Sequence, residues 1–599
     1  MLSKIHMLSK IKRIQHVLVT EGVDGVVQRL QSRLSTPSYD QWLQQVQPTT
    51  PLLEHLLAHQ DGLLISVLVP VYNVEQSWLR KAITSVLTQT YPNWQLCLAD
   101  DASTANHIRP ILEEYTQQDA RIHVVYCSQN GGISAATNAA LEMAKGEFIA
   151  LLDHDDELAP NALYEVASCL HQYPDADFIY TDEDQITPTG ERRYPFFKPD
   201  WSPDYFHACM YTCHLGVYRT DLVRKIGGFR SEYDGAQDWD LVLRITEKTS
   251  KIYHIPQVLY HWRSIPTSAA SGTQAKPWAY QAAQSALQDM LDRSSYAGWV
   301  EPGPGPGFFR VRRHIQNNPL VSILIPSAGT ETKIGWKKVC LLEQCLQSIC
   351  TVSTYRNFEI IVVDGYDIPD AILKRIQALD IKLIRCDQPF NFSQRMNLGA
   401  DAACGDILLM LNDDMEVVTP NWIEAMLELA QQQEIAAVGA KLLFPNGDLQ
   451  HAGVMILAGN PTHASYKRAK RSEGYYKSTV VNRNYLGVTG ACLMMRKAVF
   501  VALNGFDESF PFNYNDVDLC LRAHQAGYRN VFTPYAELIH YESVSRRKGV
   551  HQDELKHLHD RFKDTTYMMN DPYYNPNLST SGPYFQLAWP KNLVGENSA

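Results

Sequence analysis

The chain contains no apolar run approaching the roughly 18 residues that a membrane-crossing helix needs. Its first residues, Met1-Leu-Ser-Lys-Ile-His6, lack the apolar core of a signal peptide. Positive charge is not in excess. The formal net charge is −11, which gives no support for a nucleic-acid partner. The 12 cysteines are scattered. Their close groups, Cys209/Cys213 and Cys340/Cys345/Cys350, lack the two-residue gap of zinc pairs and read as buried reduced thiols. These absences together predict a cytoplasmic protein. What is present is ordinary for a globular chain, with 45% hydrophobic and 20% charged residues. At 599 residues it is too long for one core, and two domains of about 250 residues are expected.

Residues 1–62 mix polar and apolar types, with helical spacing over 17–34 and 52–57 and basic residues Lys4, Lys10, Lys12 and Arg13 near the start. They read as a helical extension packed on the first domain, or as a surface for a partner or membrane. Regular structure then begins. Ile65 to Pro70 is a β-branched run ended by proline, a strand. Leu79, Ala82, Ile83, Val86 and Leu87 follow helical spacing. Gln95 to Ala99 is a second strand, stopped by Asp100-Asp101, and Ile122 to Tyr126 a third. Asn130-Gly-Gly132 makes a turn, Ser134 caps a small-residue helix through Ala144, and Gly146 ends it. Phe148 to Leu152 is a fourth strand running into Asp153-His-Asp-Asp156. Strands alternating with helices predict a parallel α/β sheet. Ligands bind at the carboxyl ends of strands in such sheets, so Asp100, Asp101, Asp153 and Asp155 should converge.

Gly303-Pro-Gly-Pro-Gly307, the basic Arg310 to Arg313 and Asn317-Asn-Pro319 mark a boundary. The pattern then restarts. Ser66-Val-Leu-Val-Pro70 becomes Ser322-Ile-Leu-Ile-Pro326. Asp364 follows a strand as Asp100 does. Ser134, Asn138 and Gly146 become Ser393, Asn397 and Gly405. Gly228-Phe229 recurs as Gly505-Phe506, and Asp238-Trp-Asp-Leu-Val-Leu-Arg244 as Asp516-Val-Asp-Leu-Cys-Leu-Arg522. So many ordered matches define an internal duplication. The divisions are 1–62, 63–314, 319–563 and a tail, 564–599, rich in Tyr, Asn and Pro, that wraps the surface or stays partly disordered.

In a strand, residues two apart face the same way, so Asp153 and Asp155 can meet one ligand. Crowded carboxylates are costly unless a cation neutralises them, and a hard divalent ion keeps one or two protein carboxylates and takes phosphate oxygens for the rest. Taken alone the stretch serves equally well as a solvated acidic turn. Asp238, at the start of a helical segment, suits the helix dipole. His261, in Tyr260-His-Trp-Arg263, reads alone as an ordinary partly buried histidine.

The order of these motifs carries more. The strand ending Pro70-Val-Tyr-Asn73, Asp100-Asp101, Asp153-His-Asp155, Gly228-Phe229, Gln237-Asp238 and Tyr260-His-Trp resemble the family 2 glycosyltransferases of GT-A fold. Tyr180-Thr-Asp-Glu-Asp184 through Phe197-Lys-Pro-Asp-Trp201 resembles the bacterial O-antigen and capsule branch. The resemblance covers Leu63 to His314 and again Pro319 to about Lys548. It implies two tandem Rossmann-like nucleotide-diphospho-sugar transferase domains. Asp100 or Asp101 would contact the base of the donor, Asp153 its ribose, and Asp155 a magnesium or manganese ion bridging the diphosphate. Asp238 would be the general base, and His261 would complete the metal or diphosphate site. Displacement with a single base inverts the anomeric centre, the behaviour of this family.

In the second copy the resemblance places Asn412 at the ribose, Asp414 at the metal, Asp516 as base and His540 as metal histidine, with Asp364 at the donor base. Its first strand ends Pro326-Ser-Ala-Gly329, and Asp364 is followed by Gly365. Gln450-His-Ala-Gly453 resembles rhamnosyltransferase-like members, so a hexose or a deoxyhexose is the expected sugar. The basic groups Lys467-Arg468, Lys470-Arg471 and Arg546-Arg-Lys548 leave two readings open: solvated surface, or contacts to donor or lipid-linked diphosphates or an anionic inner-membrane face. The expected protein is thus a bifunctional transferase building a bacterial surface glycan on a lipid-linked or oligosaccharide acceptor. One catalytic half with a glycan-binding half is the alternative. A non-enzymatic scaffold would not keep both Asp238 and Asp516. A nucleotidyltransferase would show a glycine-rich basic loop after its first strand, where Val71-Tyr-Asn73 stands. A processive membrane synthase would show membrane helices and a Gln-x-x-Arg-Trp motif.

Overall fold

The computed structural model describes residues 36–46, 62–264, 277–334, 336–376, 378–541 and 552–590. The helices expected over 17–34 and 52–57, the N-terminal basic residues and Arg546 to Lys548 lie outside them.

In the first half, β1 (Ile65–Val71), β2 (Trp94–Asp100), β3 (Ile122–Tyr126) and β4 (Phe148–Leu151) form a parallel set in the order β3-β2-β1-β4. Their interiors are almost fully apolar because helices cover them. The helix Gln76–Leu87 lays Leu79, Ala82, Ile83 and Val86 on the sheet, each large side chain contributing roughly 1.5–3 kcal/mol by burial. Beyond β4 the sheet changes character. After β5 (Glu157–Leu158) come β6 (Phe178–Ile186), β7 (Arg192–Phe196), β8 (Gly216–Arg219) and β9 (Ile252–Arg263). The full order is β3-β2-β1-β4-β8-β6-β9-β5, with β7 beside β6. β8 is antiparallel to both β4 and β6, and β9 is parallel to β6. The expected all-parallel order therefore holds for β1 to β4, and beyond β4 the sheet is mixed because β8 enters antiparallel to both its neighbours.

β10 (Gly298–Pro302) and β11 (Phe309–Arg313) make a separate hairpin. The Gly303 to Gly307 stretch, read as a break, is its loop, and Arg310 to Arg313 are strand residues. The chain breaks after them, where Asn317 and Asn318 take φ of 59° and 43°.

The second half repeats the plan. Its strands are β12 (Val321–Ser327), β13 (Glu331–Ile334), β14 (Lys337–Cys340), β15 (Phe358–Asp364), β16 (Ile381–Arg385), β17 (Ile407–Leu411) and β18 (Met415–Val417). Then follow β19 (Ile435–Leu443), β20 (Leu449–His451), β21 (Val454–Leu457), β22 (Asn460–His463), β23 (Arg483–Tyr485), β24 (Cys492–Arg496) and β25 (Arg529–His540). The order β16-β15-β12-β17-β24-β19-β25-β18 is that of the first sheet position for position. Small details recur too. Ser66 Oγ accepts from Gly146 N and Ser322 Oγ from Gly405 N, each at 2.9 Å. A Cβ on either glycine would lie within 2.5 Å of a backbone oxygen. Asn138 Oδ1 takes the Phe229 amide and Asn397 Oδ1 the Phe506 amide, again at 2.9 Å. Both sheets are mixed α/β layers of the expected GT-A kind.

Two local expectations change. The helix Ile133–Met143 is capped by Gly132 at φ 88°, and Ser134 lies inside it, its hydroxyl donating to the Arg230 carbonyl at 3.2 Å. β4 ends at Leu151, so Asp153 to Asp156 form a turn and not a strand. The two-residue alternation does not orient them.

The halves are joined by polar contacts. Asn484 of β23 donates to Asp204 Oδ2 at 2.7 Å, Ser202 Oγ donates to Asn484 Oδ1 at 2.9 Å, and Arg529 reaches Asp204 at 3.2 Å. The C-terminal segment binds both halves. Asp571 Oδ2 accepts the Ile456 amide at 2.8 Å, while Asn575 donates to Asp182 Oδ2 and to the Lys198 carbonyl, both at 2.9 Å. On the N-terminal side, the helix Tyr39–Gln45 packs Trp42 on Phe197 with centroids 5.3 Å apart.

Candidate active sites

In the first half the turn after β4 carries three carboxylates. Asp156 is buried; it accepts from Tyr260 Oη at 2.6 Å and from the Arg263 amide at 2.6 Å. Burial drives its pKa well above the carboxylate range, and Asp155 and Asp153 add to that. Burial also raises Asp155, with Asp153 contributing and His154 and Arg263 opposing. Asp238 sits in the first turn of the helix Gln237–Thr246 and its Oδ1 accepts the Trp239 amide at 2.8 Å. Burial raises it as well; His214 lowers it and Asp153 raises it. The structure therefore gathers Asp153, Asp155, Asp156 and Asp238 around one centre.

His214 joins them. It offers a nitrogen that lies with carboxylate oxygens of Asp153 and Asp156 within 4.8 Å of one another. Its ring stacks on Tyr260 at 4.4 Å. Glu183 Oε2 accepts its amide at 3.1 Å, and the buried Lys198 ammonium donates to its carbonyl at 2.6 Å and to Glu183 at 2.9 Å. The acidic motif before Phe197-Lys198 thus holds this loop. Sequence reasoning missed His214; its one signal was a histidine directly before a strand.

His261 is not among this group. Side chains alternate along β9, so Tyr260 and Trp262 face His214 while His261 faces away. It pairs through Nδ1 with Asp184 Oδ1 at 2.9 Å. Asp184 also binds Arg192 and accepts from Tyr39 Oη at 2.5 Å. Burial pushes the His261 pKa down. Its match to His540 also fails in register. Glu157 pairs with His261, whereas the equivalent Glu416 pairs with Ile539. Glu183 pairs with Tyr260, whereas the equivalent Leu442 pairs with Leu538. Both ladders put Trp262 at the His540 position, and a one-residue slip exchanges faces.

In the second half His540 does face the turn. Its Nε2 lies 3.0 Å from Asp414 Oδ1 and 3.3 Å from Asn412 Nδ2. Its Nδ1 donates to Gln450 Oε1 at 2.7 Å, which presents Nε2 to the turn. The place of His214 is taken by Ala491, one residue after Gly490, whose amide donates to Asp516 Oδ2 at 2.7 Å. Each half therefore brings one histidine to its acidic turn, from different strands. Burial and Asp414 push Asp413 up to about 7. In the first half Asp153, Asp156 and His214 form a donor set compact enough for a hard divalent cation; in the second, Asp414 lies beside the His540 imidazole.

The acids at the β2 and β15 ends sit apart from these turns. Asp100 Oδ1 accepts the Ser103 amide at 3.1 Å. Asp101 accepts the Gly131 and Gly132 amides at 2.8 and 2.9 Å. Asp364 Oδ1 accepts the Asp367 amide at 3.0 Å and its other oxygen binds Arg385 at 2.5 Å. Of the basic groups, Lys470 pairs with Glu537 and Arg468 lies 4.5 Å over the Tyr584 ring. No helix among the described residues is long and apolar enough to cross a membrane.

Comparison with known proteins gives a match to the family model "Glycosyl transferase family 2" twice, over residues 66–227 and 337–503. The uncharacterized protein y4gI of Sinorhizobium fredii is 40% identical over 568 residues, which is 92% of this chain and 61% of that protein. The O-antigen biosynthesis protein RfbC of Myxococcus xanthus is 37% identical over 524 residues, 86% of this chain and 40% of that one. The chain thus spans less than two thirds of either relative. Among solved structures, residues 1–349 of S. aureus TarS align at TM-score 0.32 and 20% identity, over 39% of this chain and 66% of that one.

Proposed function

Since the chain belongs to glycosyl transferase family 2, matched once in each half, we propose that both halves are catalytic. Each takes a sugar from a nucleoside diphosphate donor and passes it, with inversion, to a hydroxyl of a growing bacterial surface glycan. The acceptor is an oligosaccharide or lipid-linked, reached from the cytoplasmic side with peripheral contact to the inner membrane. The observation that carries this reading is the paired placement of Asp238 and Asp516. Each lies in the first turn of the equivalent helix and faces the loop before β8 or β24: Asp516 accepts the Gly490 amide at 2.7 Å, and Asp238 feels the charge of His214.

Asp238 and Asp516 act as general bases, accepting the proton of the attacking hydroxyl. Asp153 and Asn412 hold the ribose; Asp100, Asp101 and Asp364 border the donor base. Asp155 with Asp153, Asp156 and His214 would hold a magnesium or manganese ion in the first half, and Asp414 with His540 in the second. Such an ion, when bound, stabilises the charge developing on the departing diphosphate. His261 pairs with Asp184 away from this centre and has a structural role. Donors with hexose or deoxyhexose sugars both fit.

The second reading keeps the first half catalytic and leaves the second to bind glycan. Asn412 in place of Asp153 and Gly365 in place of Asp101 favour it. The two are separated by assaying purified Asp238→Asn and Asp516→Asn proteins against a panel of nucleotide sugars with a lipid-linked acceptor. Two active centres predict that each variant loses a different transfer. Loss with Asp238→Asn alone would establish the second reading, and full transfer by both would sink the base assignment.

A further inference from the structure

The two halves differ most at the ends of β2 and β15, where the donor's base would lie. The strand registers fix the equivalences: Val71 opposes Asp100 as Ser327 opposes Asp364, and Asp100 opposes Tyr126 as Asp364 opposes Arg385. The segments from β3 and β16 to the helices Ile133–Met143 and Phe392–Ala402 are equal in length, and Asp101 and Gly365 each directly follow the strand-end acid. Gly365 therefore replaces Asp101, Tyr366 replaces Ala102, Phe390 replaces Gly131 and Arg395 replaces Ala136. The backbones agree, since Ala102 and Tyr366 both take left-handed φ, 56° and 66°.

The chemistry inverts. In the first half neither Asp100 nor Asp101 has an ion pair among the described residues; both are buried carboxylates that accept backbone amides. In the second, Asp364 is met by Arg385. Arg395 fills the space that an Asp101-like side chain would need: a Cβ on Gly365 would lie 2.0 Å from Arg395 Nη2. Arg395 is 2% exposed, and its Nε and Nη1 are buried without a hydrogen-bond partner. Its remaining nitrogen reaches Asp367 only at 3.5 Å. Phe390 covers the guanidinium at 4.7 Å, and the exposed Tyr366 lies against Arg385 at 4.8 Å. Buried guanidinium donors without acceptors are costly, and two exposed rings beside them offer faces for stacking.

We infer that Arg395, with Phe390 and Tyr366, is the nucleobase-reading element of the second centre, and that it selects a nucleoside diphosphate through the keto oxygens of its base. The first centre, lined by acids, reads N–H groups instead. The two halves then accept differently ranked nucleotides. This rests on the transferase reading above. Distance argues for base over diphosphate: β15 and β17 flank β12, so the Arg395 pocket and the Asn412 to Asp414 turn stand about 10 Å apart, the span of a nucleoside.

The test is calorimetric titration of the full chain with UDP, dTDP, GDP, CDP, ADP and inorganic pyrophosphate, in magnesium. The proteins are wild type, Arg395→Met, Phe390→Ala and Asp101→Asn, each checked for its melting temperature. The expected result is two sites. Arg395→Met weakens keto-base nucleotides at one site by about tenfold or more, leaving ADP and pyrophosphate unchanged; Phe390→Ala weakens every nucleotide there through lost stacking but leaves pyrophosphate unchanged; and Asp101→Asn acts only at the other site. Phe390 is half exposed, so its variant stands even where Arg395→Met fails to fold. Equal weakening of every nucleotide and of pyrophosphate would make Arg395 a phosphate ligand and overturn the inference, as would unchanged binding in both variants. Absence of any nucleoside diphosphate binding to wild type would overturn the transferase reading as well.

Discussion

Asp238 is half-buried, and desolvation raises its pKa from the ordinary carboxylate value, with His214 opposing and Asp153 adding. A base must be deprotonated to work, so transfer by the first centre should rise with pH through that elevated value. Measured as a pH–rate profile, its acid limb should sit higher than that of an exposed carboxylate and vanish in Asp238→Asn. His214 and His261 separate by readout. His214→Ala should lower manganese affinity about tenfold or more, seen by the spin-resonance signal of the free ion, and lower first-centre transfer with it. His261→Ala should leave manganese affinity unchanged and instead lower the melting temperature, since a hydrogen bond to the charged Asp184 is worth about 1.5–3 kcal/mol. The acids were legible in the sequence because an apolar strand ending in carboxylates is a strong local signal. His214 was not, because its role comes from Lys198 and Glu183 holding a loop, contacts that span some 15 to 31 residues. His261 misled because chain spacing does not reveal strand register.

At the scale of elements, the two parallel four-strand sets and their helices followed from periodicity alone. The antiparallel strands beyond β4 did not, since long-range pairing rather than local pattern decides them. The C-terminal segment, for which composition left surface wrapping and partial disorder both open, is hydrogen-bonded to both halves over its described residues. Its Asp571 is buried and its pKa is pushed up to about 7 by that burial. In the unfolded chain the group would titrate at the ordinary carboxylate value. Between these two values the folded state binds more protons, so stability is full in acid and declines as pH rises towards 7. The loss, on the order of 4 kcal/mol at most, should appear in denaturant titrations at pH 5 and pH 8. Asp571→Asn should flatten the difference.

For the whole molecule, the joint between the halves turns on Asp204. Burial would raise its pKa, but Arg529, His207 and Asn484 outweigh that and hold it below the usual range. Asp204→Asn should therefore cost about 1.5–3 kcal/mol. Because the C-terminal segment ties both halves together, that cost should appear as a downward shift of one shared calorimetric transition; two resolved transitions would show that the halves unfold independently.

The same tie has a consequence for synthesis. Asp182, in the middle of the first sheet, is met within the first half by the Lys198 amide at 2.8 Å and by His254 at 3.0 Å, both on Oδ1, but its Oδ2 is bound by Asn575, 393 residues further along the chain. At ribosomal rates of about 5–20 residues per second, the first half waits roughly 20–80 s before Oδ2 gains that donor. A newly made first half therefore lacks that contact until Asn575 has been synthesised, and ribosome stalling between the halves should raise its aggregation.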